Sequence, residues 1–163
     1  MERENRFLAA HAAGHDRIYR YFRRRTDNAA TAEDLCAEVF RITWEKTGQD
    51  DSLSVMVLFG IAKNVLRNHD RSAVRSAGLL GALQLERDHD PRTDGSPVHE
   101  ALGQLRAEDR EVLLLTYWDG FSAAEVSGLL NTSATAVRMR LHRARKALSN
   151  LLQTQTQPEG AAK

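Results

Sequence analysis

The sequence has few of the residues that form disulfides, zinc sites or membrane spans. Cys36 is the only cysteine among 163 residues, so a disulfide within the chain is excluded and a cysteine-based zinc site is not expected. There is no apolar run of about 18 residues, and the N-terminus lacks the apolar core of a signal peptide. We therefore expect a cytoplasmic protein without membrane insertion.

Residues that interrupt helices or favour strands are also scarce. The chain has three prolines and no long alternation of β-branched residues, which favours an all-α fold. We find no nucleophile motif and no glycine-rich phosphate loop, so we expect neither an enzyme nor a bound cofactor. His11 and His15 have the i, i+4 spacing of metal ligands, but no third ligand is evident, and we expect no metal site.

Charge is balanced over the whole chain and unbalanced locally. The sequence has 23 Lys and Arg against 22 Asp and Glu, which gives a net charge of +1. The stretch 136–152 contains no acidic residue. A local basic patch on a nearly neutral chain suits a protein that binds DNA at one face and another partner elsewhere.

The stretch 121–148 predicts two helices joined by a tight turn. Ser122 and Glu125 have the spacing of a capping box that starts the first helix. Residues 131–133 break the pattern, and Ser133 is a good N-cap for the second helix. This arrangement is a helix-turn-helix, in which the second helix can enter the DNA major groove.

The second helix of this motif has an apolar stripe and a basic face. Val137, Leu141, Ala144 and Leu148 share the stripe. The candidate DNA-binding residues lie outside the stripe: Thr135, Arg138, Met139, Arg140, His142, Arg143 and Lys146. A solvated basic face on an ordinary helical hairpin is the alternative.

The N-terminal part predicts three more helices, at residues 1–25, 30–47 and 54–77. Thr31 and Asp34 resemble a capping box at the start of the second, and Trp44 is expected in the core beside Phe40. Acidic residues mark the outer face of the second helix: Asp34, Glu38 and Glu45. Taken alone, such a face is simply solvated.

The third helix carries a second candidate nucleic-acid surface. Basic residues recur every four positions, with asparagines beside them. Cationic side chains can neutralise phosphates, and asparagine can donate and accept at base edges. The residues proposed for contact are Lys63, Asn64, Arg67, Asn68 and Arg71.

The composition changes between these regions and predicts two small helical domains joined by a flexible linker. The first domain covers residues 1–77 and the linker covers 78–98, which is polar and contains Pro91, Gly95 and Pro97. The second domain covers 99–152, with a helix at 99–105 and another at 108–118. Residues 153–163 are expected to be a disordered tail.

Three stretches together resemble the extracytoplasmic-function (group IV) sigma factors of bacterial RNA polymerase, in the sigma-70 family. They read AEDLCAEVFRITWEK, LFGIAKNVLRNHDR and LGQLRAEDREVLLLTYWDGFSAAEVSGLLNTSATAVRMRLHRARKAL. The resemblance covers about residues 5–152 and keeps the family's order of region 2, linker and region 4. The helix containing AED, Phe40 and Trp44 distinguishes this family from other helix-turn-helix proteins.

The resemblance implies an alternative sigma factor that directs promoter recognition and transcription initiation. Asp34, Leu35 and Glu38 would bind the β′ clamp helices of core RNA polymerase, and the second domain would meet the β flap. The third helix would bind and help to melt the −10 element, and the helix-turn-helix would bind the −35 element of promoter DNA. An anti-sigma factor is a further partner that the resemblance implies.

Four positions depart from the family's usual residues. Ala37 replaces a Gln of the clamp-binding helix, Val57 replaces a Trp before the −10 helix, and Ala136 and Met139 replace Thr and Ser of the recognition helix. The change at Met139 indicates an unusual −35 sequence. Two alternatives stay open: a stand-alone helix-turn-helix regulator that binds duplex DNA as a dimer, and a sigma-like protein that has lost activity.

Overall fold

A computed structural model describes residues 1–48, 53–80 and 96–156. Within these ranges the chain forms seven α-helices and one π-helical segment, and no strand. The predicted all-α fold is confirmed. The chain divides into two compact units, Met1–Asp90 and Pro91–Lys163, each described separately below.

The N-terminal unit contains three helices that pack against one another: α1 (Glu2–Arg25), α2 (Ala29–Lys46) and α3 (Val55–Leu80). Each contributes an apolar face at helical period to one core. The core side chains with no or almost no exposure include Ile18, Phe22, Val39, Leu58 and Phe59. The helices are therefore oriented by burial, and their polar faces remain in solvent.

The start of α2 differs from the expected capping box of Thr31 and Asp34. The N-cap is Asn28, whose side-chain Oδ1 accepts a hydrogen bond from the Thr31 N–H at 2.7 Å. The helix begins at Ala29, so Thr31 already lies in its first turn. Asparagine is a preferred N-cap residue, and Asn28 has the extended backbone angles of that position. Asp34 therefore does not take part in capping α2.

Trp44 is more exposed than a core anchor would be, at 36%. Phe40 itself is buried, with 6% exposure. Phe7 of α1 contacts both rings edge-on, with centroids 5.3 Å from Trp44 and 6.4 Å from Phe40. The Arg3 guanidinium covers the Trp44 ring at 4.2 Å and donates to the Trp44 carbonyl oxygen at 2.9 Å. Long side chains of α1 therefore cover the end of α2.

Cys36 of α2 is 2% exposed, and its Sγ lies 4.0 Å from the His15 carbonyl oxygen of α1. Burial, and to a lesser extent the nearby Asp16 carboxylate, raise the pKa of its thiol to about 11. A thiol with such a pKa stays protonated near neutral pH and reacts slowly. Cys36 is therefore a small core side chain.

The C-terminal unit contains α4 (Pro97–Gln104), α5 (Ala107–Leu113), a π-helical segment (Leu114–Trp118), α6 (Ala123–Leu130) and α7 (Ala134–Thr156). Helices α4, α5 and α6 all pack against α7. Buried side chains from residues 102–114 form a core with Leu141 and Ala144 of α7: Leu102, Leu105, Val112, Leu113 and Leu114.

The predicted helix 108–118 is not α-helical throughout. From Leu114 it becomes π-helical, and the Asp119 N–H donates to the Leu114 carbonyl oxygen at 2.9 Å. Residues 112–115 are all buried, although four consecutive residues cannot share one face of an α-helix. Trp118, the last residue of this segment, lies at the surface and is 40% exposed.

The boundaries of the predicted linker and tail shift by a few residues. Helix α3 continues to Leu80, and α4 begins at Pro97 because the Ser96 hydroxyl accepts from the His99 N–H at 3.1 Å. Proline is favoured in the first helical turn. Helix α7 extends to Thr156, so the first part of the predicted tail is helical. The rest of the predicted linker, 81–95, and of the tail, 157–163, lies outside the described residues.

Helix α1 approaches the Leu58 side chain of α3 closely at Gly14. A Cβ added at Gly14 would collide with the Leu58 Cδ1 atom. Leu58 is completely buried and has little room to move. Gly14→Ala should therefore lower the free energy of unfolding of this unit by about 1–3 kcal/mol, measured by urea denaturation of the full chain followed by circular dichroism.

Gly60→Ala is the matched control in the same unit. Gly60 lies within α3, and a Cβ there meets no atom within 4 Å. Alanine should raise helix stability at this position by about 0.5–1 kcal/mol. Equal effects of the two substitutions would contradict the close contact between α1 and α3.

Candidate nucleic-acid interface

The turn between α6 and α7 has the local structure that its sequence predicts. The Glu125 N–H donates to the Ser122 hydroxyl at 3.2 Å, and the Ser122 N–H donates to the Glu125 carboxylate at 3.0 Å. This reciprocal pair confirms the capping box. Asn131 ends α6 in the left-handed conformation with φ of 53°, which asparagine tolerates better than most residues.

The start of α7 is set by Ser133, as predicted. Its hydroxyl oxygen accepts from the Ala136 N–H at 3.1 Å. The Val137 N–H then makes the first backbone bond of the helix, to the Ser133 carbonyl oxygen at 3.0 Å. The turn therefore gives α7 a defined first residue and a defined direction relative to α6.

The predicted apolar stripe of α7 is confirmed. Val137 and Ala144 have no exposure, Leu141 has 9%, and Leu148 is half-buried. Full burial of a side chain such as Val or Leu stabilises a fold by about 1.5–3 kcal/mol. Rotation of α7 about its axis would expose this stripe, so its opposite face is held towards solvent.

The exposed face of α7 brings together six of the seven candidate residues. Arg140 is half-buried and lies at the edge of this face. We call this surface the α7 basic face, and its exposed members are Thr135, Arg138, Met139, His142, Arg143 and Lys146. An extended cationic surface on a helix 23 residues long can lie along an anionic groove.

Sequence reasoning did not find the partner of Arg145. This exposed arginine donates from Nη1 to the Tyr117 hydroxyl at 2.9 Å. Tyr117 lies in the π-helical segment and is 54% exposed. The two residues are 28 positions apart, so no local pattern indicates the contact.

The second candidate surface lies on α3. Its buried side contains Leu58, Ile61, Ala62 and Val65. Four candidate residues are exposed together: Asn64, Arg67, Asn68 and Arg71. Lys63 is half-buried beside them.

One acidic residue on α3 lies close to this basic row in sequence. Partial burial raises the pKa of the Asp70 carboxyl, and neighbouring His69 acts in the opposite direction. The sequence reasoning overlooked Asp70, which reduces the local positive charge when it is ionised.

The acidic face of α2 is partly neutralised within the helix. Arg41 makes two hydrogen bonds to the Glu38 carboxylate, at 2.9 and 2.6 Å, and one to Glu45 at 2.6 Å. Its hydrogen bonds lower the pKa of Glu38. Asp34 is exposed, whereas Leu35 is buried in the core at 9% exposure. The i, i+3 and i, i+4 spacing of Arg41 could have indicated these pairs.

Other classes of site receive no support from the described part of the chain. No group of three or more His, Cys, Asp or Glu within 1–48, 53–80 and 96–156 could hold a metal ion. The rings of His11 and His15 stack with centroids 4.8 Å apart, and His11 contacts Phe40 at 4.6 Å. None of the described helices is long and apolar enough to cross a membrane.

Comparison with known proteins extends the similarity beyond the helix-turn-helix. Residues 96–148 match the family model of sigma-70 region 4. The ECF RNA polymerase sigma factor SigL of Mycobacterium tuberculosis is 31% identical over 147 residues, which cover 83% of this chain and 82% of SigL. The similarity therefore includes both units.

Solved structures share the fold. The sigma factor RpoE of Bartonella quintana, solved with the anti-sigma factor NepR, superposes with a TM-score of 0.71 at 23% identity over 92% of this chain and 96% of RpoE. CnrH, solved with the cytosolic domain of CnrY, gives a TM-score of 0.71 at 25% identity over 92% of this chain and 89% of CnrH. Because SigL is 31% identical to this chain over most of the length of both proteins, the chain belongs to the ECF RNA polymerase sigma factors.

Proposed function

We propose that this chain binds core RNA polymerase and promoter DNA through separate surfaces and so selects where transcription begins. The observation that carries the proposal is the α7 basic face, which is held in solvent by the buried stripe on the opposite side of the same helix. Membership of the sigma family supports the −35 element as the ligand of this face.

The α7 basic face suits duplex DNA by charge and by position. Its cations can neutralise phosphates and release counterions, which supplies affinity without sequence preference. Residues in the first turns of a recognition helix meet base edges, and Arg138 is the fifth residue of α7. Arginine can bond guanine O6 and N7 together, so we assign Arg138 to base recognition and Lys146 to phosphate contact.

The exposed row on α3 is proposed to bind the −10 element. Arg67 and Arg71 would contact phosphates, and Asn64 and Asn68 would contact base edges, with half-buried Lys63 at the margin. Melting this element costs a few kcal/mol for each base taken out of the stack. Contacts to the separated strand offset that cost.

The acidic face of α2 is proposed to bind the β′ clamp helices of core polymerase. Asp34 is exposed and Glu38 is half-buried, so both carboxylates are accessible to basic side chains of a partner. Buried Leu35 supports the helix from behind and is left out of the contact surface. Glu38 must exchange its bonds with Arg41 for bonds to the partner.

The chemistry of RNA synthesis belongs to the polymerase in this proposal, and the chain is not itself an enzyme. It works in the cytoplasm, with residues 1–77 acting on core polymerase and the −10 element and 99–152 on the −35 element and the β flap. Residues 78–98 connect the two. The structural relative RpoE was solved with an anti-sigma factor, which supports an anti-sigma factor as a further partner of this chain.

The stand-alone regulator is not favoured. Such a protein needs the helix-turn-helix and a dimer contact, and it gives no reason for similarity to a sigma factor over 147 residues. In a sigma factor the acidic face of α2 would bind core polymerase. A regulator that binds duplex DNA alone has no such protein partner for it.

Arg138→Ala should weaken binding to the −35 duplex by about 1–3 kcal/mol, because one bidentate contact to a base is lost. The probe is a labelled duplex that the full-length chain selects from randomised DNA, and the measurement is fluorescence anisotropy. Unchanged affinity would reject Arg138 as a base reader.

Two further variants separate the contribution of base recognition to DNA affinity from the contribution of phosphate neutralisation. Lys146→Ala should weaken binding to all sequences alike and reduce the slope of log K against log salt by about 1. Arg106→Ala removes another exposed cation, one that precedes α5 and is not part of the α7 basic face, and it should change neither quantity.

Asp34→Arg should abolish binding to core RNA polymerase without unfolding the chain, since it places a positive charge opposite a basic surface. We expect the affinity to fall at least tenfold, which corresponds to about 1.4 kcal/mol. The measurement is a pull-down with purified core enzyme. Glu4→Arg makes the same charge change on an exposed site of α1, and it should bind normally. Retained binding by Asp34→Arg would remove the docking surface from the proposal.

A further inference from the structure

Met139 is an exposed apolar side chain on an otherwise polar and basic surface. It is 65% exposed, and it is the sixth residue of α7, within the turns that meet base edges in a helix-turn-helix. Thr135 and Arg143, one turn before and after it, are exposed on the same side. Met139 therefore lies near the middle of the α7 basic face.

Packing within the chain does not explain a methionine at this position. The core contacts of α7 are made by Val137, Leu141 and Ala144, which lie on the other side of the helix. Methionine is flexible and polarizable, and it adapts its shape to an irregular apolar partner. Burial at an interface would remove its apolar surface from water.

The surrounding charges indicate what kind of partner covers it. Arg138, Arg140 and Arg143 lie within four positions of Met139, and residues 136–152 contain no acidic side chain. An apolar protein surface over Met139 would have to desolvate these cations without pairing them, which is costly. A DNA groove pairs the cations with phosphates and still presents one apolar group, the 5-methyl of thymine.

We propose that Met139 is a specificity-determining residue that packs against the 5-methyl group of a thymine in the −35 element. The inference rests on the proposed function of α7. It goes further by specifying the base: promoters of this sigma factor carry a thymine at the base pair beneath Met139. An arginine-rich helix alone specifies guanine and gives no preference for a methyl group.

The test removes one methyl group at a time from the DNA. The full-length chain first selects its preferred duplex from a randomised pool. Each thymine of that duplex is then replaced by deoxyuridine, which keeps the hydrogen-bonding groups and lacks only the methyl. At one position the substitution should weaken binding about fourfold, the effect of one buried methyl or methylene group.

Variants assign that effect to Met139. Met139→Gln keeps the length of the side chain but makes it polar, and it should bind thymine and deoxyuridine equally at the sensitive position. Met139→Leu keeps an apolar side chain and should retain the discrimination. Leu8→Gln is the control, because Leu8 is similarly exposed, at 61%, on α1 of the other unit. It should behave as the parent chain.

The outcomes that overturn the role of Met139 differ from the outcome that overturns the proposed function. Tolerance of deoxyuridine at every thymine would overturn the inference, and so would discrimination that persists in Met139→Gln, since another residue would then contact the methyl. In both cases Arg138→Ala would still weaken binding, and the proposed function would stand. Selection of no sequence at all would overturn the proposed function and this inference with it.

Discussion

Burial of the apolar stripe on α7 determines which side of the recognition helix faces solvent. Val137, Leu141 and Ala144 pack against the preceding helices of the C-terminal unit. The α7 basic face follows from this packing, because the candidate DNA contacts lie on the remaining surface of the same helix. Under the proposed function, a change that loosened the stripe would weaken DNA binding without altering any of the proposed contact residues.

The N-terminal unit uses the same principle for two surfaces at once. Its three helices bury one core, which leaves an acidic row on α2 and a mostly basic row on α3 in solvent. Opposite charges on different helices suit different partners, a basic protein surface and a nucleic acid. Arg41 moderates the acidic row, because Glu38 and Glu45 are hydrogen-bonded to it and Asp34 is accessible without breaking those bonds.

Local patterns predicted much of this structure, and contacts between distant residues account for most of what they missed. The capping box at Ser122, the N-cap at Ser133 and the stripe on α7 follow from spacing along the chain. The π-helical segment, the exposed Trp118 and the bond from Arg145 to Tyr117 depend on packing between helices. Leu35 was expected at the clamp contact beside exposed Asp34, but it lies on the apolar stripe of α2 and is buried together with Cys36 and Val39.

The central claim is that this chain gives RNA polymerase a new choice of promoter. The most direct test is transcription in vitro by purified bacterial core polymerase on genomic DNA of the source organism, with and without the full-length chain, followed by mapping of RNA 5′ ends. The account predicts new 5′ ends that share a two-part upstream motif, with a −35 element and a −10 element at fixed spacing. An unchanged set of 5′ ends, with the chain folded and present in excess, would contradict it.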